Sequence, residues 1–163
     1  MRPIIFIIGV SGCGKSTIGS LLAKKVNIPF FDGDDFHPQA NIDKMSAGIA
    51  LVDEDRKQWL IDLNLHAIKQ SNAEGAIIAC SALKQSYRDI LQKDLIGKVK
   101  WVLLKGSQDL IQSRLNSRTN HFMSAALLQS QFDTLEIPDY GLHLDISDSP
   151  ELIIETIINE FNL

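Results

Sequence analysis

The sequence predicts an α/β fold in three layers, a five-stranded parallel sheet with helices on both faces. Three observations carry this. Short apolar runs alternate with amphipathic segments over 163 residues, a glycine-rich octapeptide separates the first run from the first amphipathic segment, and no repeat or low-complexity linker interrupts the pattern. Alternating strands and helices require right-handed crossovers, which put helices on both sides of a parallel sheet. The length suits one domain, 1–163, able to bury a core, and 45% hydrophobic residues agree.

Ile4-Ile5-Phe6-Ile7-Ile8 has the length and β-branched content of a buried parallel strand. Thr17–Val26 follows as a helix with Ile18, Leu21, Leu22 and Val26 on one face. Further strands are expected at Pro29–Phe31, Ala76–Cys80 and Val99–Leu104, with a weaker one at Leu142–Ile146. Helical periodicity covers Arg56–Ser71, Lys84–Leu95, Ser107–Leu115 and Pro150–Phe161. Such sheets bind ligands beyond the carboxyl ends of their strands. The candidate site therefore lies in Gly9–Ser16, Asp32–His37, Ser81–Arg88, Lys105–Gly106 and Ser147–Pro150. Trp59 and Trp101 sit in apolar periodic segments and are expected in the core.

Gly9-Val10-Ser11-Gly12-Cys13-Gly14-Lys15-Ser16 is a complete G-x-x-x-x-G-K-[ST] loop between a strand and a helix. Its glycines let backbone N–H groups turn inward toward phosphate oxygens, and the helix starting at Thr17 adds its positive end. Lys15 is expected to reach the β- and γ-phosphates, and the Ser16 hydroxyl to ligate Mg²⁺. The nucleotide-binding set is thus Gly9, Val10, Ser11, Gly12, Cys13, Gly14, Lys15, Ser16 and Thr17.

Composition narrows the partners. A net charge of −4 without a Lys/Arg-rich block argues against nucleic acid or an anionic membrane as the main partner. No apolar run has the length of a membrane span. The apolar start runs straight into the phosphate loop, where signal cleavage would destroy the motif, so the sequence reads as cytoplasmic. Two cysteines, Cys13 and Cys80, and four histidines without ligand spacing offer neither a disulfide framework nor a zinc site.

The loop alone suits GTPases, motor ATPases and small-molecule kinases. No N-K-x-D guanine motif occurs, and Asp94-Leu95-Ile96-Gly97 ends a helix instead of following a strand. The strand ending at Cys80 is followed by Ser81, not by the acid a hydrolytic ATPase places there. The acids instead follow the second strand, as Asp32-Gly33-Asp34-Asp35. Carboxylates clustered there suit Mg²⁺ organisation by one and deprotonation of a substrate hydroxyl by another, the two duties of a phosphotransferase.

At these residues the chain resembles the gluconate kinases, small P-loop kinases related to shikimate kinase. The resemblance runs through the loop, Asp32-Gly33-Asp34-Asp35-Phe36-His37-Pro38, Asn41, Lys44-Met45, Gly48, Leu51, Asp53, Asp55-Arg56, Trp59-Leu60, Cys80-Ser81-Ala82-Leu83-Lys84, Tyr87-Arg88-Asp89, Leu104-Lys105-Gly106, Arg114-Leu115, Arg118, His121-Phe122, Gln131-Phe132, Leu135-Glu136 and Pro138. Cys13 departs from the commoner Ser, and the chain beyond Pro138 matches less clearly. The resemblance implies a three-layer P-loop kinase fold with a small helical lid at about 114–136. It also implies ATP- and Mg²⁺-dependent phosphorylation of D-gluconate at its terminal hydroxyl.

It assigns catalysis to Lys15, Asp34 and Arg118, with Asp34 nearest the accepting hydroxyl. Ser16 and Asp32 would hold Mg²⁺. Arg114 and Arg118, spaced i, i+4 if the helix continues, would close over the triphosphate. A sugar acid offers one carboxylate and a row of hydroxyls, so Asp34, His37, Lys44, Arg56, Ser81, Lys84 and Arg88 form the substrate-binding set, with Arg56 or Arg88 on the carboxylate. Shikimate kinase would show Gly-Gly-Gly after the third strand, and adenylylsulfate kinase lacks the His-Pro. Another small-molecule kinase, or a non-catalytic nucleotide-binding module, remains the alternative, and monomer and homodimer are both open.

Overall fold

Ile4–Ile8 forms strand β1, buried along its whole length because it feeds two cores at once. In the computed structural model, which describes residues 2–117 and 124–163, Ile5 and Ile7 enter one core with Ile18, Leu22, Ile111 and Ile157. Ile4, Phe6 and Ile8 enter the other with Trp59, Leu63, Tyr87 and Leu91. A strand covered on both faces reads as a continuous apolar run, which is why the sequence shows no alternation there.

The remaining elements are α1 (Lys15–Val26), β2 (Phe30–Asp32), a 3-10 turn (Gly33–Phe36), α2 (Gln39–Ser46), α3 (Asp53–Ser71), β3 (Ala76–Ala79), α4 (Gln85–Leu91), β4 (Val99–Lys105), α5 (Gln108–Asn116), α6 (Ala125–Thr134), β5 (Leu142–Asp145) and α7 (Pro150–Phe161). The sheet is parallel throughout and ordered β2-β3-β1-β4-β5. β1 is central, so the loop at its carboxyl end sits where the chain has crossovers on both sides, and the turn after β2 and the loop after β3 open on the same rim.

Several expectations are corrected by packing. α1 begins at Lys15, two residues before the expected start, and Leu21 is exposed while Gly19 and Ala23 face the core. α4 ends at Leu91, and the following turn carries Asp94 at φ 62. Periodicity gives no sign of α2, because among its eight residues only Asn41 is buried. α5 runs Gln108–Asn116 with Ser117 as its cap, one residue beyond the expected end. Arg118 and His121-Phe122 lie outside the described residues. Among the described residues no helix is long and apolar enough to cross a membrane.

Candidate active site

The loop between β1 and α1 is anchored from below. Val10 and Cys13 are buried and belong to the core beneath it. Gly9 has φ 144, and a Cβ there would stand 2.8 Å from both the Cys13 sulfur and the Leu104 carbonyl oxygen. Gly14 caps α1 at φ 97, the left-handed conformation that a side chain disfavours. Cys13 donates its N–H to the Val10 carbonyl at 3.3 Å, and Lys15 Nζ donates to the same oxygen at 3.0 Å. The loop cation is thus parked on the loop's own carbonyl.

Ser16 and Asp32, far apart in sequence, meet at the rim: Ser16 Oγ donates to Asp32 Oδ2 at 2.5 Å. The other oxygen, Oδ1, accepts the N–H of Asp34 at 3.0 Å and caps the 3-10 turn that carries the second carboxylate. A hydroxyl beside a carboxylate is an all-oxygen donor pair, the chemistry Mg²⁺ takes when phosphates and water complete its shell. No group of three or more His, Cys, Asp or Glu side chains suited to a metal occurs among the described residues. Such a site would therefore borrow ligands from the nucleotide.

Across the cleft, His37 stacks on Trp59, ring centroids 4.2 Å apart at 15°. Trp59 is held by its indole N–H, which donates to the Gly33 carbonyl at 2.7 Å. Burial, aided by the Arg56 charge, lowers the His37 pKa from 6.5 to about 4, so the imidazole is neutral at physiological pH. Its Nε2 lies 3.8 Å from Asp34 Oδ1.

Arg56 stands at the centre of this wall. Its Nη1 donates to Tyr87 Oη at 3.1 Å, and Tyr87 in turn donates to Asp53. Lys84 grips the same Asp53 carboxylate at 2.9 and 3.0 Å, and Lys44 pairs with Asp55 at 2.7 Å. The Tyr87 and then the Lys84 bonds hold Asp53 below the usual carboxylate range; Lys44 first, then the Val52 N–H, do so for Asp55. The two lysines are therefore charge-compensated by acids of α3. Arg56 makes no direct ion pair among the described residues, although its charge helps hold both carboxyls low.

Arg88 departs from its expected role. It is buried, and all five N–H donors bond to protein: Nε to Tyr140 Oη at 3.0 Å, Nη1 to the Ala82 and Leu83 carbonyls at 2.8 and 3.2 Å, Nη2 to Gln85 Oε1 at 3.2 Å and the Glu136 carbonyl at 2.8 Å. A guanidinium has five donors, so none remains for a substrate. Arg88 instead ties the β3–α4 loop to the segment after α6, a tie reinforced by Glu136 N–H to the Leu83 carbonyl at 2.8 Å. The neighbouring Ser81 is half-buried beside the phosphate loop, its carbonyl accepting the Gly9 N–H at 3.3 Å. Burial pushes the Cys80 thiol up to about 12, which keeps it inert.

From the other side, α6 reaches over the loop. Gln131 Oε1 accepts the Ser11 N–H at 2.7 Å. Arg114 Nη2 donates to the Ile146 carbonyl at 2.7 Å, beside the loop after β5. Gln131, Asn41, Asp53, Asp55 and Tyr87 have no role in the motif reading. Each sits in a stretch without a phosphate- or metal-binding pattern, and only the similarity to gluconate kinases touches them.

A family model described as shikimate kinase matches residues 11–137. The chain is 43% identical over 170 residues to a gluconokinase of Arabidopsis thaliana, covering 95% of this chain and 90% of that protein. It is 48% identical over 134 residues to the thermosensitive gluconokinase of Escherichia coli (strain K12), covering 81% and 71%. The crystal structure of a gluconokinase from Sinorhizobium meliloti 1021 superimposes with a TM-score of 0.86 at 39% identity, covering 95% of this chain and 90% of that one. With a strand–loop–helix phosphate cradle, a carboxylate pair on its rim and these similarities, the chain is a phosphotransferase of the gluconokinase family, within the shikimate-kinase-like group of P-loop kinases.

Proposed function

We propose that this protein transfers the γ-phosphoryl group of ATP to the terminal hydroxyl of D-gluconate, giving 6-phospho-D-gluconate and ADP. The observation that carries the reading is the Ser16–Asp32–Asp34 chain of hydrogen bonds beside a wall in which Lys44 and Lys84 are ion-paired to acids and Arg56 is not.

Lys15 would leave the Val10 carbonyl for the β- and γ-phosphate oxygens, and the N–H groups of the Gly9–Thr17 segment that are not bonded to the Ser81 and Val10 carbonyls would line the phosphates. Ser16 and Asp32 fit Mg²⁺, which when bound neutralises phosphate charge. Asp34 would accept the proton of the acceptor hydroxyl as its oxygen bonds to the γ-phosphorus and the bond to the β-phosphate oxygen breaks. Arg56 would take the substrate carboxylate, and His37, Ser81, Lys44 and Lys84 its hydroxyls. The segment at about 114–136, with Arg114 and Arg118, would act as a lid that excludes water from ATP.

A panel of sugar acids, shikimate, adenylylsulfate and nucleoside monophosphates, each offered with Mg·ATP in a coupled ADP assay, tests this. Gluconate should be turned over far faster than the others. Robust turnover of another acceptor with none of gluconate would overturn the proposal.

A further inference from the structure

Asn41 is buried on α2, and both hydrogens of its amide nitrogen are committed. Nδ2 lies 2.8 Å from the Asp55 carbonyl oxygen and 3.2 Å from His37 Nδ1. A carbonyl oxygen can only accept, so the nitrogen end of the Asn41 amide must face Asp55. The same NH₂ group then faces His37 Nδ1, which must also accept. In a neutral imidazole the single proton consequently resides on Nε2, the atom 3.8 Å from Asp34 Oδ1.

That separation exceeds a direct hydrogen bond, yet one hydroxyl oxygen at about 2.8 Å from each atom spans it. Such a hydroxyl would accept from His37 Nε2–H with a lone pair while directing its own proton at Asp34. The opposite tautomer would present a bare Nε2 lone pair beside the carboxylate and repel the same oxygen. An imidazolium would instead pair with Asp34 and weaken it as a base.

We propose that Asn41 is a positioning residue that fixes His37 as the Nε2–H tautomer, so that His37 and Asp34 together orient the phosphoryl-accepting hydroxyl. The role in turnover rests on the acceptor reading given above; the tautomer itself does not. Asn41 also joins α2 to the first turn of α3, so the lock closes only when the His37-Pro38 turn, α2 and Arg56's helix are in register.

The test is a long-range ¹H–¹⁵N spectrum of the labelled, ligand-free protein, with His37 assigned by loss of its signals in His37→Gln. The parent should show His37 protonated on Nε2 and bare on Nδ1. A proton on Nδ1, or an imidazolium at neutral pH, would overturn the lock whether or not gluconate is the acceptor, and this measurement needs no Asn41 variant to fold. In Asn41→Asp a carboxylate oxygen replaces the donor, so the proton should move to Nδ1. The kcat/KM for the acceptor should then fall about ten-fold, the scale of one lost hydrogen bond, while the KM for ATP and acceptor-independent ATP hydrolysis stay within about two-fold. Unchanged acceptor kinetics in a folded Asn41→Asp with a moved proton would overturn the role in turnover.

Discussion

The side-chain oxygen of Gln131 accepts a hydrogen bond from the backbone N–H of Ser11 at 2.7 Å, joining α6 to the phosphate loop across 120 residues. That N–H belongs to the loop whose donors face phosphate in the proposed complex, so Gln131 and a nucleotide compete for it. Gln131→Leu removes the competitor and should tighten ATP binding by a few-fold, the scale of one net hydrogen bond. Isothermal titration checks this. A ten-fold weakening would show that Gln131 assists the nucleotide instead.

Lys15→Met should fold normally, since among the described residues Lys15 makes one hydrogen bond, to the Val10 carbonyl. Its phosphoryl transfer should fall by about 10²-fold or more, because the cation acts where charge develops. Asp34→Asn should depress kcat with little change in ATP affinity. Asp32→Asn weakens the Ser16 and Asp34 contacts together, so it should raise the Mg²⁺ concentration needed for half-maximal rate. Steady-state kinetics against magnesium separates the two carboxylates. Equal effects on both parameters would refute the division of labour.

Arg88→Met should cost stability more than catalysis. It removes donors from three carbonyls, of Ala82, Leu83 and Glu136, the first two on buried residues. A loss of about 3 kcal/mol is expected from buried groups left unpaired, read as a lower urea midpoint. The KM for the acceptor should hold in the folded fraction. A large KM rise without loss of stability would restore Arg88 as a substrate ligand.

His37 supplies an acid-labile share of stability. Its folded pKa, about 4, lies below the ordinary 6.5, so the unfolded chain takes the proton first as pH falls. Its contribution is therefore complete above about 6.5, erodes between 6.5 and 4, and changes no further below. His66, desolvated beside Phe31 and Phe36, acts in the same direction, so the comparison must be with His37→Gln. The urea midpoint of the parent should drop more steeply across that window than that of the variant. Parallel profiles would contradict a neutral, buried His37.

Sequence by itself determined the parallel sheet and its phosphate loop, for a physical reason: both are written in contiguous residues. Ile4–Ile8 is apolar without alternation because it is covered on both faces, and Gly9, Gly14, Lys15 and Ser16 are fixed by backbone conformation and spacing within one turn. The acids of Asp32-Gly33-Asp34 are likewise local, and their place after β2 was enough to assign them to the cleft rim.

Only the tertiary structure decided which basic residues are paired directly with acids. Lys44, Arg56, Lys84 and Arg88 are alike as letters in helical or loop segments. Their difference lies in partners 3 to 52 residues away: Asp55 for Lys44, Asp53 for Lys84, and for Arg88 a shell of carbonyls, an amide and Tyr140. Helix α2 was equally hidden, because Asn41 is buried for its hydrogen bonds and not for an apolar face, so it leaves no periodic trace. Hydrophobic pattern reports burial of apolar surface; it carries no record of which donor meets which acceptor, and those pairings set the charge of the wall and the proton on His37.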